Sequence, residues 1–161
     1  MIKIAVPAEA DKVETRVAAT PDTVKRFIGL GAEVVVEAGA GLKSRILDAD
    51  YEAVGAKIAK GAATLKDADI VLMVRRPAAA SLKGVKAGAL VVAMMDPYGN
   101  EGDVKALGEA GVTAIAMEFM PRITRAQVMD VLSSQANLAG YQAVIDAAAV
   151  YDRALPMMMT A

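Results

Sequence analysis

Short, nearly unbroken aliphatic runs recur along this chain, and each is separated from the next by a segment with helical or turn chemistry. Ile2 to Val6, Val34 to Val36, Ile70 to Val74 and Leu90 to Met94 are such runs, and Thr113 to Met117 follows the same pattern. Runs of this length and continuity suit strands covered on both faces. A shorter strand is expected within Ala56 to Ala59. Strands alternating with helices argue for a mostly parallel sheet flanked by helices, a three-layer α/β fold of Rossmann-like or flavodoxin-like kind. No internal repeat or low-complexity linker interrupts the alternation, so residues 1–161 read as a single α/β domain.

The helical segments carry their own signals. Thr20-Pro21 is a helix start, because Thr caps and Pro suits the first helical position. Val24, Phe27 and Ile28 give that helix an apolar stripe, and Gly29 and Gly31 punctuate its end. Asp48 is expected to cap a short helix through Val54, closed by Gly55. Further helical turns are expected within Ala62 to Ala68 and Ala78 to Val85. Asp96-Pro97-Tyr98-Gly99-Asn100 is turn chemistry, and Asn100 is expected to cap a helix through Ala110 with Val104 and Leu107 facing inward. Leu138, Tyr141, Ile145 and Ala148 recur at helical spacing and predict a long helix from Asn137 to Arg153. Pro156 ends it, and Met157 to Met159 form an apolar tail.

The chain is 55% hydrophobic but only 4% aromatic, so Ala, Val, Leu, Ile and Met must fill the core. It has no Cys, which removes disulfide and thiol chemistry. It has no His, which removes the commonest metal ligand and the commonest general acid–base. No acidic run has the pattern of a calcium loop, so no metal site is expected. Net charge is −1 and the basic residues form no stripe, so nucleic acid is not an expected partner. No apolar stretch approaches the ~20 residues that cross a bilayer, and the opening segment lacks a signal-peptide run. A cytoplasmic location is expected.

Some stretches invite a ligand. After the second strand, Ala38-Gly39-Ala40-Gly41-Leu42-Lys43-Ser44 offers Gly-x-Gly, but Ser44 stands where a complete GxGxxG fingerprint has its third Gly. The usual place for that fingerprint, after the first strand, holds Pro7-Ala8-Glu9. A plain flexible loop is the favoured reading of 38–44. Arg75-Arg76-Pro77 closes the Ile70 run, at the strand end where open α/β sheets bind ligands. These arginines either meet a ligand or snorkel beside the sheet.

The densest signal lies in MPRITRAQVMDVLSSQANLAGYQAV, from Met120 to Val144. A helix starting near Thr124 advances roughly 100° per residue. Gln127, Asp130, Ser133 and Ser134 then share one side, and Val128, Val131 and Leu132 the other. An amide, a carboxylate and two hydroxyls beside Arg122 suit a ligand rich in hydroxyls, amides and phosphates. The bland alternative is that Asp130 and Ser133 only brace a helix start through local bonds.

This stretch resembles the nucleotide-contacting loop and helix of the proton-translocating NAD(P) transhydrogenases, in the first domain of their NAD(H)-binding (alpha) subunit. The opening KIAVPAEADKVETRVAATPDTVKRF and the ending RALPMMMTA resemble the same family. The resemblance implies NAD(H) as cofactor, its nicotinamide end held with the help of Arg122, Gln127, Asp130 and Ser133. It implies hydride transfer to or from NADP(H) on a partner subunit, with Gln127 positioning and no residue acting as acid or base. A membrane subunit would couple this to proton movement, leaving the chain peripheral to the inner membrane, as a homodimer. The family's Gly-rich dinucleotide-binding domain would begin about where Ala161 stands, so this chain would supply one wall of a cleft. Alone it is expected to bind NAD weakly and to be inactive.

The opening also resembles alanine dehydrogenase. The resemblance places Arg16 and Arg75 where that family binds a keto acid carboxylate, but its proton-handling His would fall near Met94-Met95-Asp96, and no His exists. A third reading is a non-catalytic dimerisation or assembly module, with the Ala-rich final helix and Met tail as its interface.

Overall fold

A computed structural model describes residues 1–154, which fall into two compact units divided between Phe119 and Met120. The expected tail Met157 to Met159, with Pro156, lies outside the described residues.

The first unit is the α/β fold read from the sequence. Its elements run β1 (Lys3–Val6), α1 (Pro21–Gly29), β2 (Glu33–Glu37), α2 (Asp48–Ala53), β3 (Lys57–Ala59), α3 (Ala62–Leu65), β4 (Ile70–Arg75), β5 (Leu90–Met94), α4 (Glu101–Glu109) and β6 (Thr113–Ala116). The 6-stranded sheet has the order β3-β2-β1-β4-β5-β6, and every pairing is parallel. Lys3 to Val6 run beside Glu33 to Val36, and Ile4 and Ala5 pair with Ile70 and Val71. The β4–β5 register shifts between Leu72 and Arg75, a bulge that alters the exit of β4.

The aliphatic runs earn their continuity here. Successive strand residues point to opposite faces. Ile4 and Val6 of β1 join a core with Val24 of α1 and Tyr51 of α2. Ala5, between them, joins the opposite core with Val71, Leu107 of α4 and Leu65 of α3. Both faces of β1 are therefore dry, and each fully buried Val or Leu contributes about 2 kcal/mol of transfer free energy.

The caps follow the expectations only in part. Thr20 caps α1 as read, accepting the Thr23 N–H at 3.4 Å, with Pro21 in the first turn. Asp48 does not cap α2. Leu47 holds that position, its N–H donates to Asp50 Oδ2 at 2.8 Å, and Asp48 accepts the Gly39 N–H instead. Asn100 occupies the cap position of α4, but its amide turns back and donates to the Asp96 carbonyl at 3.0 Å. Leu107 is buried and Val104 half-buried, as read. The segment read as a weak helix after Ala78 is a 3-10 turn, Ala79–Leu82.

The second unit departs more from its reading. Thr124–Met129 is a 3-10 turn, and the helix α5 begins only at Val131 and runs 20 residues to Val150. The long helix thus starts earlier than Asn137 and stops short of Arg153. Asp130 breaks the phase between turn and helix with φ −76° and ψ 90°. Val128, expected on an apolar side, is 92% exposed, and no residue of α5 is buried. Among the described residues, no helix is long and apolar enough to cross a membrane.

Candidate functional site

In the first unit the chain leaves β1 in one direction through β2 and β3, then crosses back to β4 on the other side. That reversal opens a crevice at the carboxyl ends of β1 and β4, where open α/β sheets take their ligands. The cleft there measures about 660 Å³ and is lined by Glu9, Asp11, Glu37, Arg75, Pro77 and Leu82 among others.

Carboxylates organise its rim. Glu9 accepts the Val74 N–H at 2.6 Å and the Arg75 N–H at 3.2 Å, which clamps the bulged end of β4. Glu37 accepts the Ala8 N–H at 2.9 Å. Glu118 accepts the N–H groups of Met95 and Asp96 beyond β5. Burial is the largest influence on Glu9 and raises its pKa, while the two N–H bonds pull the other way. Glu14 goes in the opposite direction. The Arg16 guanidinium lies on it at 2.7 Å, and Arg75 Nε reaches it at 3.1 Å. Arg16, above all, holds the Glu14 carboxyl at about 2, against the effect of burial.

Neither bare reading of the adjacent arginines survives intact. The Arg76 side chain is only 15% exposed and does not simply snorkel. It donates to the carbonyls of Met95 and Asp96 and pairs with Asp103 at 2.8 Å, so it ties β4 to the turn before α4. Arg75 lines the cleft and is engaged by Glu14 and, at 3.7 Å, by Asp11. The 38–44 segment is a packed turn rather than a loose loop. Gly41 is buried, and an added Cβ would lie 2.8 Å from the Ile46 carbonyl oxygen. Lys43 donates to the carbonyls of Lys12 and Glu14, both at 3.1 Å, which fastens the long connection after β1.

Within the second unit, the structure gathers the sequence-selected residues around the turn-to-helix junction. Asp130 caps α5, with Oδ1 accepting the Ser133 N–H at 2.9 Å and Oδ2 the Ser133 hydroxyl at 2.6 Å. Those Ser133 bonds, hydroxyl first, hold the Asp130 carboxyl below its ordinary range, and the charge of Arg122 adds to them. Ser134 instead donates its hydroxyl to the Asp130 carbonyl at 2.8 Å. Local bracing of the helix start is therefore present. Arg122 and Gln127 are exposed, and Gln127 sits in the 3-10 turn with its carbonyl accepting the Asp130 N–H at 3.3 Å. Because the helix starts at Val131, the shared side drawn for Gln127, Asp130, Ser133 and Ser134 on one continuous helix does not exist.

Reading the sequence missed Glu9, Glu14, Glu37 and Glu118. The visible signal was an acid at Glu9, in the turn after β1 where a dinucleotide fingerprint would carry glycine. Exposed aromatic side chains also escaped notice. Tyr98 and Phe119 meet edge to face with ring centroids 5.8 Å apart.

Comparison with known proteins agrees with this architecture. The chain is 49% identical to the first portion of the NAD(P) transhydrogenase alpha subunit of Rhodospirillum rubrum, over 99% of this chain and 43% of that protein. It is 37% identical to alanine dehydrogenase of Halomonas elongata, over 73% of this chain and 32% of that protein. The crystal structure of transhydrogenase from Sinorhizobium meliloti superposes with a TM-score of 0.90 at 60% identity, over 99% of this chain and 48% of that one. The chain thus spans under half the length of these relatives. Residues 5–139 match the family model described as alanine dehydrogenase/PNT, N-terminal domain, and the chain belongs to that family.

Proposed function

We propose that this chain is the N-terminal part of the NAD(H)-binding component of a proton-translocating transhydrogenase. On this reading residues 1–161 act as one domain, and a Gly-rich dinucleotide-binding domain supplies the rest of the NAD(H) site. NADP(H) is held by a partner subunit, and a membrane subunit couples the reaction to proton movement. The assembled protein is a homodimer at the cytoplasmic side of the inner membrane.

The observation that carries the reading is the junction before α5. Asp130 and Ser133 satisfy each other, which fixes the backbone where the 3-10 turn meets the helix. Gln127, exposed in that turn, keeps an amide that both donates and accepts, and this fits the carboxamide or ribose of a nicotinamide nucleotide. When bound, the nicotinamide carries the hydride, and the protein's task is alignment. Gln127 orients the ring end, Asp130 and Ser133 hold Gln127's turn in place, and Arg122 adds positive charge beside Asp130. No proton has to move at the reacting carbons, so a chain without His is suited to the task.

The same geometry disfavours an alanine-dehydrogenase-like activity. The cations that would bind a keto acid carboxylate, Arg16 and Arg75, already share the carboxylate of Glu14. An assembly role has one observation in its favour, the exposed apolar side chains of α5, and a concentration-dependent dimer without nucleotide binding would support it.

The test is Gln127→Asn in the complete subunit. Shortening the side chain by one methylene should slow hydride transfer by roughly tenfold to a hundredfold while NADH affinity changes much less. An unchanged transfer rate would remove Gln127 from the mechanism.

A further inference from the structure

The strand order places the crevice of the first unit where doubly wound sheets bind nucleotides, yet the chemistry there runs against a phosphate. A phosphate at such a crevice is held by backbone N–H groups at the strand ends and by the N-terminus of the following helix. In this chain those donors are already engaged, end by end. Beyond β1, the Ala8 N–H is held by Glu37 at 2.9 Å, and Pro7 has no N–H to offer. Beyond β2, the Gly39 N–H is held by Asp48 at 2.8 Å. At the end of β4, the N–H groups of Val74 and Arg75 are held by Glu9. Beyond β5, those of Met95 and Asp96 are held by Glu118. The helix that follows β1 is closed as well. Pro21 starts it without a donor, Thr20 takes the Thr23 N–H, and Asp22 adds a negative charge to the first turn.

We infer that Glu9, Glu37, Asp48 and Glu118 are built-in anions that fill the phosphate positions along this sheet edge and exclude dinucleotide phosphates from the β1–β4 crevice. Each is partly buried, so each is screened less than a surface charge would be. A phosphate entering the crevice would have to displace a bonded carboxylate and then sit beside it. The fold keeps the outline of a nucleotide site while these side chains cancel its anion-binding function. This inference stands on the first unit alone, independently of any role for Gln127.

Inorganic pyrophosphate is the probe, followed through the amide NMR signals of this chain at neutral pH. In the unaltered chain the signals of Ala8, Gly39, Val74, Arg75, Met95 and Asp96 should not move saturably. In Glu37→Gln combined with Glu9→Gln, pyrophosphate should bind roughly tenfold tighter or more, with the shifts centred on Ala8, Val74 and Arg75. Glu9 clamps the β4 bulge, so the paired change could unfold the chain. Glu37→Gln alone, which touches a single bond to Ala8, then decides, with saturable shifts at Ala8 as the expected result. Saturable pyrophosphate binding at these amides in the unaltered chain would overturn the inference. So would a folded Glu37→Gln variant, and a folded double variant, that bind no better than the unaltered chain.

Discussion

Glu14 shows how much one side chain governs in the first unit. Its side chain is 4% exposed, Arg16 and Arg75 both bond it, and its folded pKa of about 2 lies well below the 4.5 of a free glutamate. The sign is that of a depressed acid. Its contribution to stability is complete above about 4.5, shrinks as pH falls, and is gone below about 2. The shift corresponds to on the order of 3 kcal/mol. Glu9, in the same connection, has a raised pKa and works the other way, favouring the fold in its protonated form at low pH and losing that contribution as pH rises. Denaturant titrations of the unaltered chain and of Glu14→Gln across this range should therefore converge toward acid. The variant is expected to be less stable at neutral pH and to show a flatter loss between about 4.5 and 2. A constant gap between the curves at all pH values would show that Glu14 acts by shape and not by charge.

At the scale of elements, Gly41 carries a sharper structural demand than its place in an incomplete Gly-x-Gly motif suggests. Its φ is an ordinary −86°, so conformational freedom is not the reason for glycine. The reason is space, because a Cβ would press on the Ile46 carbonyl oxygen at 2.8 Å, on Ile46 Cβ at 2.9 Å and on Tyr51 Cε2 at 3.0 Å. Tyr51 cannot yield freely, since it is buried and its hydroxyl donates to the Ala19 carbonyl at 2.8 Å. Gly41→Ala should cost about 2 kcal/mol, read as a lowered unfolding midpoint without a changed slope. The strands were plain in the sequence because aliphatic runs between turn signals have few other readings, and the β3 position followed from the same logic. The caps were less legible. Asp48, Asp50 and Asn100 are all chemically able to cap, and only tertiary partners such as the Gly39 N–H decide which one does. The turn before α5 was misread for a related reason. Periodicity continues smoothly through Asp130 in the sequence, while the carboxylate of Asp130 binds Ser133 and restarts the helix one residue later. The residues around Gln127 were found by their resemblance to a family, which periodicity alone did not provide.

For the whole molecule, the decisive quantity is how much NADH binding resides in this chain. It spans 43% of its transhydrogenase relative, and the carboxylates of its first unit stand where pyrophosphate donors would be needed. On the proposed reading, the chain contributes the nicotinamide end of the site and little toward the phosphates or the adenosine. Each 1.4 kcal/mol of lost interaction weakens binding about tenfold, and losing several charge-assisted hydrogen bonds compounds that factor. Calorimetric titration of the isolated chain with NADH should therefore give affinity far weaker than low micromolar, with no turnover. Mixing the chain with the complementary dinucleotide-binding half should restore NADH binding, provided the halves associate, which sedimentation can establish separately. Tight NADH binding by the chain alone would mean that it holds the phosphates after all. Association without restored binding would mean that the exposed α5 surface serves assembly while the nicotinamide is held elsewhere. The two failures point to different parts of the chain, and the same mixture with Gln127→Asn tells whether the turn before α5 is where the restored binding is felt.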